Sequence, residues 1–251
     1  GLSLFLYLIL ILLLILVMFF GSRTFGAARW IDLKIFQLQP SELGKLIIIL
    51  LLARIFSEHQ NMSLRYVLLI FGIVLLPVLF ILRQPDFGTA MVIFFGLLVL
   101  LFFSKIKKII LVSILAGLIL AAPIGWHFLK GYQKQRIYTF INPALDPYGT
   151  GYNVTQAKIT VGSGGLLGQG IGQGTQIQLN FLPVAHSDFI FASTAEAVGF
   201  VGSAVLIILL IFLVVRVFNV ARLSKDLFGY YFAIGWGMVL LFQIFINVGM
   251  N

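Results

Sequence analysis

Long runs of apolar residues, separated by short polar breaks, dominate this sequence. A helix needs about 20 apolar residues to cross the hydrocarbon core of a bilayer, and seven runs approach or reach that length. The pattern predicts an all-α, polytopic transmembrane helical bundle, with residues 1–251 forming a single integral membrane domain. The predicted spans are approximately 2–20, 42–57, 66–82, 88–103, 109–128, 189–215 and 227–248.

The second predicted span is the least apolar, because it contains Lys45 and Arg54. Both side chains are long enough to reach the membrane interfaces while their backbone lies deeper. Pro40 and Ser41 suit the start of a helix, and Glu42 in the first turn suits the helix dipole. The sequence therefore predicts a helix here despite the charges.

Composition supports a membrane protein, since 61% of the residues are hydrophobic and only 10% are charged. A soluble domain of this composition would expose apolar side chains to water. The net charge of +9 is spread between the apolar runs, which indicates topology and contact with anionic lipid, so no nucleic-acid partner is expected. The absence of cysteine excludes disulfides and thiol catalysis. The three histidines are scattered, so the sequence predicts no protein metal site.

The density of lysine and arginine predicts the orientation. Eight of the 17 basic residues lie in three short loops, at 54–65, 104–108 and 216–226. Because cytoplasmic loops are enriched in positive charge, we expect these loops to be cytoplasmic and 129–187 to form a long extracytoplasmic loop. The chain has no initiator methionine, and both of its ends are expected to be truncated.

The predicted outer loop is rich in glycine, with nine glycines among the 26 residues from Gly149 to Gly174. A glycine backbone can approach a phosphate or a sugar closely. The segment lacks both the lysine of a P-loop and the arrangement of a dinucleotide-binding motif. Composition alone favours a flexible linker.

Carboxylates at membrane depth are costly and are therefore candidates for function. Asp188 begins an apolar run beside the long outer loop, where a substrate could reach it. Its position suits a helix N-cap and a catalytic group equally well, and we expect a cationic partner for it, Lys45 or Arg29. Five acids lie at or inside the predicted outer ends of the spans: Asp32, Glu42, Asp86, Asp188 and Glu196.

Several separated motifs, in the right order between the spans, resemble the SEDS family (shape, elongation, division and sporulation). The resemblance covers essentially the whole chain and is closer to the elongation-type members than to the division-type members. The matching segments are GAARWI at 26–31, QPSELGK at 39–45, QPDFGT at 84–89, YQKQR at 132–136, NP at 142–143, DP at 146–147, GY at 151–152, GSGG at 162–165, GTQ at 174–176, FLP at 181–183 and HSDFIF at 186–191.

The resemblance implies a ten-span fold, of which this chain would hold the third to the ninth span. It also implies an inverting glycosyltransferase that polymerises lipid II into β-1,4 glycan strands outside the bacterial cytoplasmic membrane. The essential aspartate of the family falls on Asp188. The other candidate residues, for the substrate pyrophosphate or the central cavity, are Arg29, Glu42, Lys45, Asp86, Arg136 and His186.

The expected partners are lipid II, a class B penicillin-binding protein and other membrane proteins of the elongation complex. A divalent cation, Mg²⁺ or Mn²⁺, is considered for the pyrophosphate, although no ligand cluster is visible. Three alternatives stay open at this point: a lipid II transporter, a non-catalytic scaffold of the cell-wall synthesis complex, and a division-type family member. A transporter would be expected to contain internal repeats, and none is found here.

Overall fold

The computed structural model describes residues 1–24, 27–32, 34, 37–59, 62–129, 131–147, 149–179, 181–182 and 188–251. Helices form at all seven predicted spans, and each begins within two residues of its predicted start. These seven are α1 (Leu2–Phe20), α2 (Pro40–Glu58), α3 (Leu64–Arg83), α4 (Phe87–Phe103), α5 (Lys108–Phe128), α9 (Ile190–Leu223) and α10 (Leu227–Gly249). Three further helices of the described residues precede α9: α6 (Gly131–Ile141), α7 (Thr150–Ser163) and the short α8 (Thr175–Gln178).

Five of the described helices are long and apolar enough to cross a bilayer: α1, α3, α5, α9 and α10. Helix α4 is apolar but shorter, with 17 residues. Helix α2 has a lower mean hydropathy because it contains four charged residues, and it packs against α1 and α4. The predicted helical, polytopic fold is confirmed.

Residues 1–114 and 214–242 form one compact unit. Two glycines of this unit, Gly96 on α4 and Gly235 on α10, both face Ile49 of α2. A Cβ atom would lie 2.7 Å from the Ile49 side chain at Gly96 and 2.8 Å from it at Gly235. Small residues therefore let these helices approach α2 closely, as in other membrane helix bundles. The fully buried core side chains around them include Leu10, Leu14, Ile48, Leu52, Phe56, Leu97, Leu100 and Tyr231.

A small antiparallel sheet connects α1 to α2, which the apolar pattern did not predict. Its strands are β1 (Ser22–Thr24), β2 (Ala27–Asp32) and β3 (Gln37–Leu38), with β2 in the middle. Ser22 is paired with Trp30 and Ile31 with Leu38. Since β2 contacts both α1 and α2, the sheet fixes the connection between these helices and places part of the candidate site.

Residues 115–213 and 243–251 form the second unit. It contains most of the predicted outer loop, which is largely helical rather than irregular: α6, α7, α8 and a 3-10 turn at Pro143–Leu145 lie within it. A small apolar core holds this unit together and consists of Ala157, Leu182, Phe189 and Ala192, with Val161 packed against them. Hydropathy does not detect α7, because its helix depends on this tertiary packing rather than on a long apolar run.

Candidate functional site

Polar side chains of the first unit meet where the start of α2 approaches the turn between α3 and α4. The Asp86 carboxylate is the centre of this polar cluster and is 8% exposed. Its Oδ1 accepts from the backbone N–H of Thr89, at 3.1 Å, and so caps α4. Its Oδ2 accepts from Gln39 Nε2 at 3.0 Å and from Ser41 Oγ at 3.2 Å. Asp86 therefore ties the start of α4 to the start of α2.

Arg29, on β2, binds the end of α3. Its Nε donates to the carbonyl oxygen of Gln84 at 2.7 Å, and its Nη2 donates to that of Pro85 at 2.5 Å. A cation near the C-terminal carbonyls of a helix is favourable both as a hydrogen-bond donor and for the helix dipole. The buried Gln84 side chain in turn donates to the carbonyl oxygen of Leu14 on α1, at 3.1 Å. Arg29 thus has a structural role in joining the sheet to α3.

Lys45 is the buried cation of the same end of the unit. Its side chain is only 4% exposed, and its Nζ lies 2.7 Å from Oε2 of Glu42, which is 53% exposed. Among the described residues Glu42 is its hydrogen-bond partner, whereas an ammonium group has three donors. Lys45 therefore has the capacity to bind an anion. The structure places Arg29, Glu42, Lys45 and Asp86 at one end of this unit.

In the second unit, Asp188 lies immediately before the N-cap of α9. The carbonyl oxygen of Phe189 accepts from Ser193 N at 3.1 Å, which makes Phe189 the N-cap residue. The first-turn N–H of Ala192 donates to Asn251 Oδ1 at 3.2 Å. Asn251, beyond the end of α10, thus accepts the hydrogen bond that the side chain of an N-cap residue would normally accept.

The backbone around Asp188 is held while its side chain is exposed. Asn247 of α10 donates from Nδ2 to the Asp188 carbonyl oxygen, at 3.3 Å. The next residue, Phe189, is 6% exposed and packs in the core of the second unit. This arrangement presents a carboxylate from a fixed backbone, as a catalytic group requires.

Helix α9 is broken at Gly199, whose φ is 68° and ψ is −168°. In a continuous helix the N–H groups of Phe200 and Val201 would donate to the carbonyls of Glu196 and Ala197. Instead, residues Gly164–Gly170, here called the glycine insert, lie between these partners. The insert makes four hydrogen bonds at the break: Gln169 N to Glu196 O at 2.9 Å, Gly170 N to Ala197 O at 3.0 Å, Phe200 N to Gly165 O at 2.9 Å, and Val201 N to Leu166 O at 3.1 Å.

Glycine is required where the insert and the helix meet. A Cβ atom at Gly164 would lie 2.1 Å from the carbonyl oxygen of Ala195, and one at Gly168 would lie 2.3 Å from that of Ala197. Gly168 also has a φ of 82°, which side-chain-bearing residues rarely adopt. The interpretation of this segment as a flexible linker is therefore wrong: its glycines serve close backbone contact.

Glu196 lies beside the break and is completely buried. Its Oε1 accepts from Gln176 N at 2.9 Å and lies 3.4 Å from Ser163 Oγ. Its Oε2 has no hydrogen-bond partner among the described residues. The sequence contained a signal for this residue, a carboxylate inside an apolar run, but the motif comparison gave it no role.

Comparison with known proteins identifies the group to which these features belong. The sequence profile of the FtsW/RodA/SpoVE family of cell cycle proteins matches residues 1–251. The chain belongs to this family. The predicted resemblance to SEDS proteins is thereby confirmed, and the chain is a multi-pass membrane protein.

The relatives of this SEDS chain include peptidoglycan glycosyltransferases. It is 40% identical over 234 residues to the peptidoglycan glycosyltransferase MrdB of Escherichia coli (strain K12), which covers 92% of this chain and 63% of MrdB. It is 35% identical over 235 residues to a probable peptidoglycan glycosyltransferase FtsW of Escherichia coli O6:H1, covering 91% of this chain and 56% of FtsW. The chain thus spans less than two thirds of the length of these relatives.

Solved structures of SEDS proteins have the same fold. A chain of a peptidoglycan synthase complex, studied for the coordination of polymerization and crosslinking, matches with a TM-score of 0.80 and 31% identity, over 100% of this chain and 70% of that chain. The rod shape determining protein RodA of Thermus thermophilus matches with a TM-score of 0.66 and 29% identity, over 99% of this chain and 66% of RodA.

Two candidate residues of this SEDS chain, Arg136 and His186, come from the predicted outer loop. Arg136 lies in α6, and His186 lies outside the described residues. The expected pairing of Asp188 with Lys45 or Arg29 joins residues of the two different units and stays a prediction. Within the described residues, no group of three histidines or carboxylates is arranged to hold a metal ion.

Proposed function

We propose that this protein is a peptidoglycan glycosyltransferase that polymerises lipid II into β-1,4 glycan strands during cell elongation and shape maintenance. The observation that carries the proposal is the 40% identity to MrdB over 92% of this chain. The lower identity to FtsW, 35%, favours the elongation-type role over the division-type role.

Asp188 is the general base of the proposed reaction. Lipid II carries its sugar α-linked to pyrophosphate, whereas the glycan product is β-linked, so the transfer inverts the anomeric carbon. The Asp188 carboxylate takes the proton of the acceptor sugar 4-hydroxyl as that oxygen attacks the anomeric carbon, and the bond to the pyrophosphate breaks. The exposed side chain and the held backbone of Asp188 support this role.

Lys45 is the best-suited cation for the pyrophosphate. Its ammonium group is buried and is bonded to Glu42, so two of its donors can serve an anion. A cation that the folded protein already holds in place needs no reorganisation during the reaction. Such a cation can stabilise the negative charge of a leaving pyrophosphate. Arg29 is already bonded to two carbonyl oxygens of the first unit, and it joins Arg136 as a secondary candidate.

We also propose that a divalent cation, Mg²⁺ or Mn²⁺, accompanies the substrate. Mg²⁺ commonly binds through one or two carboxylates together with substrate phosphates rather than in an all-protein cage. The absence of a ligand cluster among the described residues is compatible with that mode. The protein residues act without depending on it: Asp188 moves the proton, and Lys45 binds the phosphate oxygens.

The proposed location is the bacterial cytoplasmic membrane, with the active site on its outer face, and the proposed partner is a class B penicillin-binding protein. The structural similarity to a chain of a peptidoglycan synthase complex supports such a partner. Crosslinking needs a transpeptidase beside the polymerase, and other membrane proteins of the elongation complex complete the proposed assembly.

A lipid II transporter is the second candidate function, because one observation favours it. Transporters often contain interrupted helices at membrane depth, and α9 is interrupted at Gly199. In transporters of this kind such interruptions usually occur in matching halves of a repeat, and the sequence contains no repeat.

A purified full-length protein carrying this chain would separate the proposals. We expect it to convert fluorescently labelled lipid II into glycan strands that lysozyme digests, in detergent and without a second protein. A transporter would instead move labelled lipid II across liposome membranes without forming polymer. A scaffold would do neither, and either of these outcomes would contradict the proposed enzyme.

Cysteine labelling tests the proposed orientation. Ile171 is 88% exposed in the predicted outer region, and Lys107 is exposed in a predicted cytoplasmic loop. This chain has no cysteine of its own, and any elsewhere in the full-length protein would first be replaced by serine. We expect Ile171→Cys, but not Lys107→Cys, to react in intact spheroplasts with a membrane-impermeant maleimide. The reverse pattern would overturn the orientation.

A further inference from the structure

The helical segment that follows Asp188 is short. Only residues Ile190–Val198 lie between the start of α9 and the break at Gly199. Isolated helices of fewer than about 12–15 residues are marginal, so the position of this segment depends on contacts at its two ends. At its beginning, Asn247 and Asn251 bind the backbone.

At the other end, the Glu196 side chain supplies the contact. Its Oε1 accepts the backbone N–H of Gln176 at the start of α8, while its own carbonyl oxygen accepts from Gln169 of the glycine insert. One residue thus binds the segment of Asp188 to both the insert and α8. Gly174 leaves room for this arrangement, since a Cβ atom there would lie 2.4 Å from Glu196 Cδ.

The buried Glu196 carboxylate lies outside the ion pairs found among the described residues. Among the described residues no lysine or arginine forms an ion pair with Glu196, because the ion pairs found there involve Glu42 and Glu58. The second oxygen, Oε2, has no partner in the same part of the chain. Burying a carboxylate without a cation costs desolvation free energy, so the property of Glu196 that can stabilise the fold is the hydrogen bond that it accepts from Gln176 N.

We propose that Glu196 is a positioning residue for the Asp188 carboxylate, and that it acts through the hydrogen-bond geometry of its side chain rather than through its charge. The proposal rests on the proposed function, in which Asp188 is the general base. Glu196 holds the far end of the segment Ile190–Val198, and so it fixes the direction in which Asp188 meets the acceptor sugar. A displacement of about 1 Å in such a group can reduce a rate about 10²-fold.

The test compares two substitutions of different chemistry in the full-length protein. Glu196→Gln keeps the acceptor oxygen, and we expect its kcat for labelled lipid II to stay within about threefold of the wild type. Glu196→Leu removes the acceptor, and we expect kcat to fall by about 10–10² with KM nearly unchanged, because substrate binding groups are retained. Rates are normalised to monodisperse, folded protein, and Thr194→Ala on the same helix, whose hydroxyl donates to Ile190, is the matched control.

A substitution of Gly174, which contacts the Glu196 side chain, keeps the test valid if Glu196→Leu does not fold. Gly174→Ala places a methyl group against the carboxylate, and we expect a loss of kcat similar to that of Glu196→Leu. The double variant Gly174→Ala/Glu196→Ala removes the steric conflict, so it should be no worse than Glu196→Ala alone. A double variant with additive losses would contradict direct contact between the two positions.

Hydrogen exchange separates a failure of this inference from a failure of the proposed function. The amides of Gln169, Gly170 and Gln176 should exchange faster in Glu196→Leu than in the wild type, but not in Glu196→Gln, whether or not the protein polymerises lipid II. If the wild type formed no polymer, the proposed function would fail while this readout still tested the contact. A folded Glu196→Gln variant as inactive as Glu196→Leu would overturn the inference, as would a Glu196→Leu variant with wild-type kcat.

Discussion

Asp188→Asn in the full-length protein is expected to abolish polymerisation of lipid II while leaving folding and membrane insertion intact. Asparagine keeps the size and polarity of the side chain but removes the basic carboxylate. General-base catalysis contributes roughly 10²–10⁴ in rate, and we expect a loss of at least that order. The measurement is the initial rate of glycan formation from labelled lipid II, with thermal unfolding followed in parallel.

The matched control is Asp226→Asn. Asp226 is an aspartate at a helix start, where its Oδ2 accepts from Gly229 N at 3.0 Å at the beginning of α10. Aspartate and asparagine cap helices about equally well, so this variant should keep both activity and stability. Turnover by Asp188→Asn within a few-fold of the wild type would mean that the base lies elsewhere, with Glu42 and Asp86 as the next candidates.

Gly199→Ala is expected to lower the stability of the protein more than other single glycine substitutions in its helices. The backbone there has a φ of 68°, and a Cβ atom would lie 2.2 Å from the backbone nitrogen of Gly168. Strained backbone costs about 1–3 kcal/mol, and overpacking costs about 1–3 kcal/mol, so a loss of roughly 2–6 kcal/mol is expected. Thermal unfolding of the purified protein in detergent measures it.

Gly117→Ala provides the comparison for that substitution. Gly117 lies in α5, and nothing lies within 4 Å of the Cβ atom that alanine would add. Alanine is the better helix former by about 1 kcal/mol, so this variant should unfold at the same temperature or slightly higher. Equal unfolding temperatures for Gly199→Ala and Gly117→Ala would show that the break does not need glycine.

The apolar pattern predicted the helices well because the bilayer imposes a simple rule on length and composition. It placed the end of α9 at residue 215, whereas the helix continues to Leu223. Arg216 interrupts the apolar run, but arginine is a good helix former, so the helix continues through Arg216 and Arg222 to Leu223. Hydropathy reports where a helix stops being apolar rather than where it ends.

The glycine-rich region was beyond prediction from composition, since its structure depends on distant partners. The segment 164–170 has the composition of a linker. Its backbone N–H and C=O groups have hydrogen-bond partners in α9 only because that helix is broken at Gly199. A glycine inside an apolar helical run, Gly199, was a local signal for that break.

The candidate site was predictable in part. Membrane-depth charges directed attention to Asp86, Lys45 and Asp188, because charged residues inside a membrane are rare and are usually functional. The sequence did not distinguish a structural role from a catalytic one: the Asp86 carboxylate caps α4 and accepts hydrogen bonds from two further side chains. Whether Asp188 is the catalytic base is a prediction that depends on chemistry rather than on position.

The break in α9 replaces two bonds of a continuous helix with four bonds to a segment about 30 residues earlier in the chain. These four bonds form a register, since residues 165–170 must meet residues 196–201 in one fixed alignment. Deleting or inserting one residue within either stretch would break this alignment and leave polar backbone groups unpaired in an apolar environment. Differences in length between homologous sequences should therefore fall outside both stretches, even though a glycine-rich loop would ordinarily tolerate them.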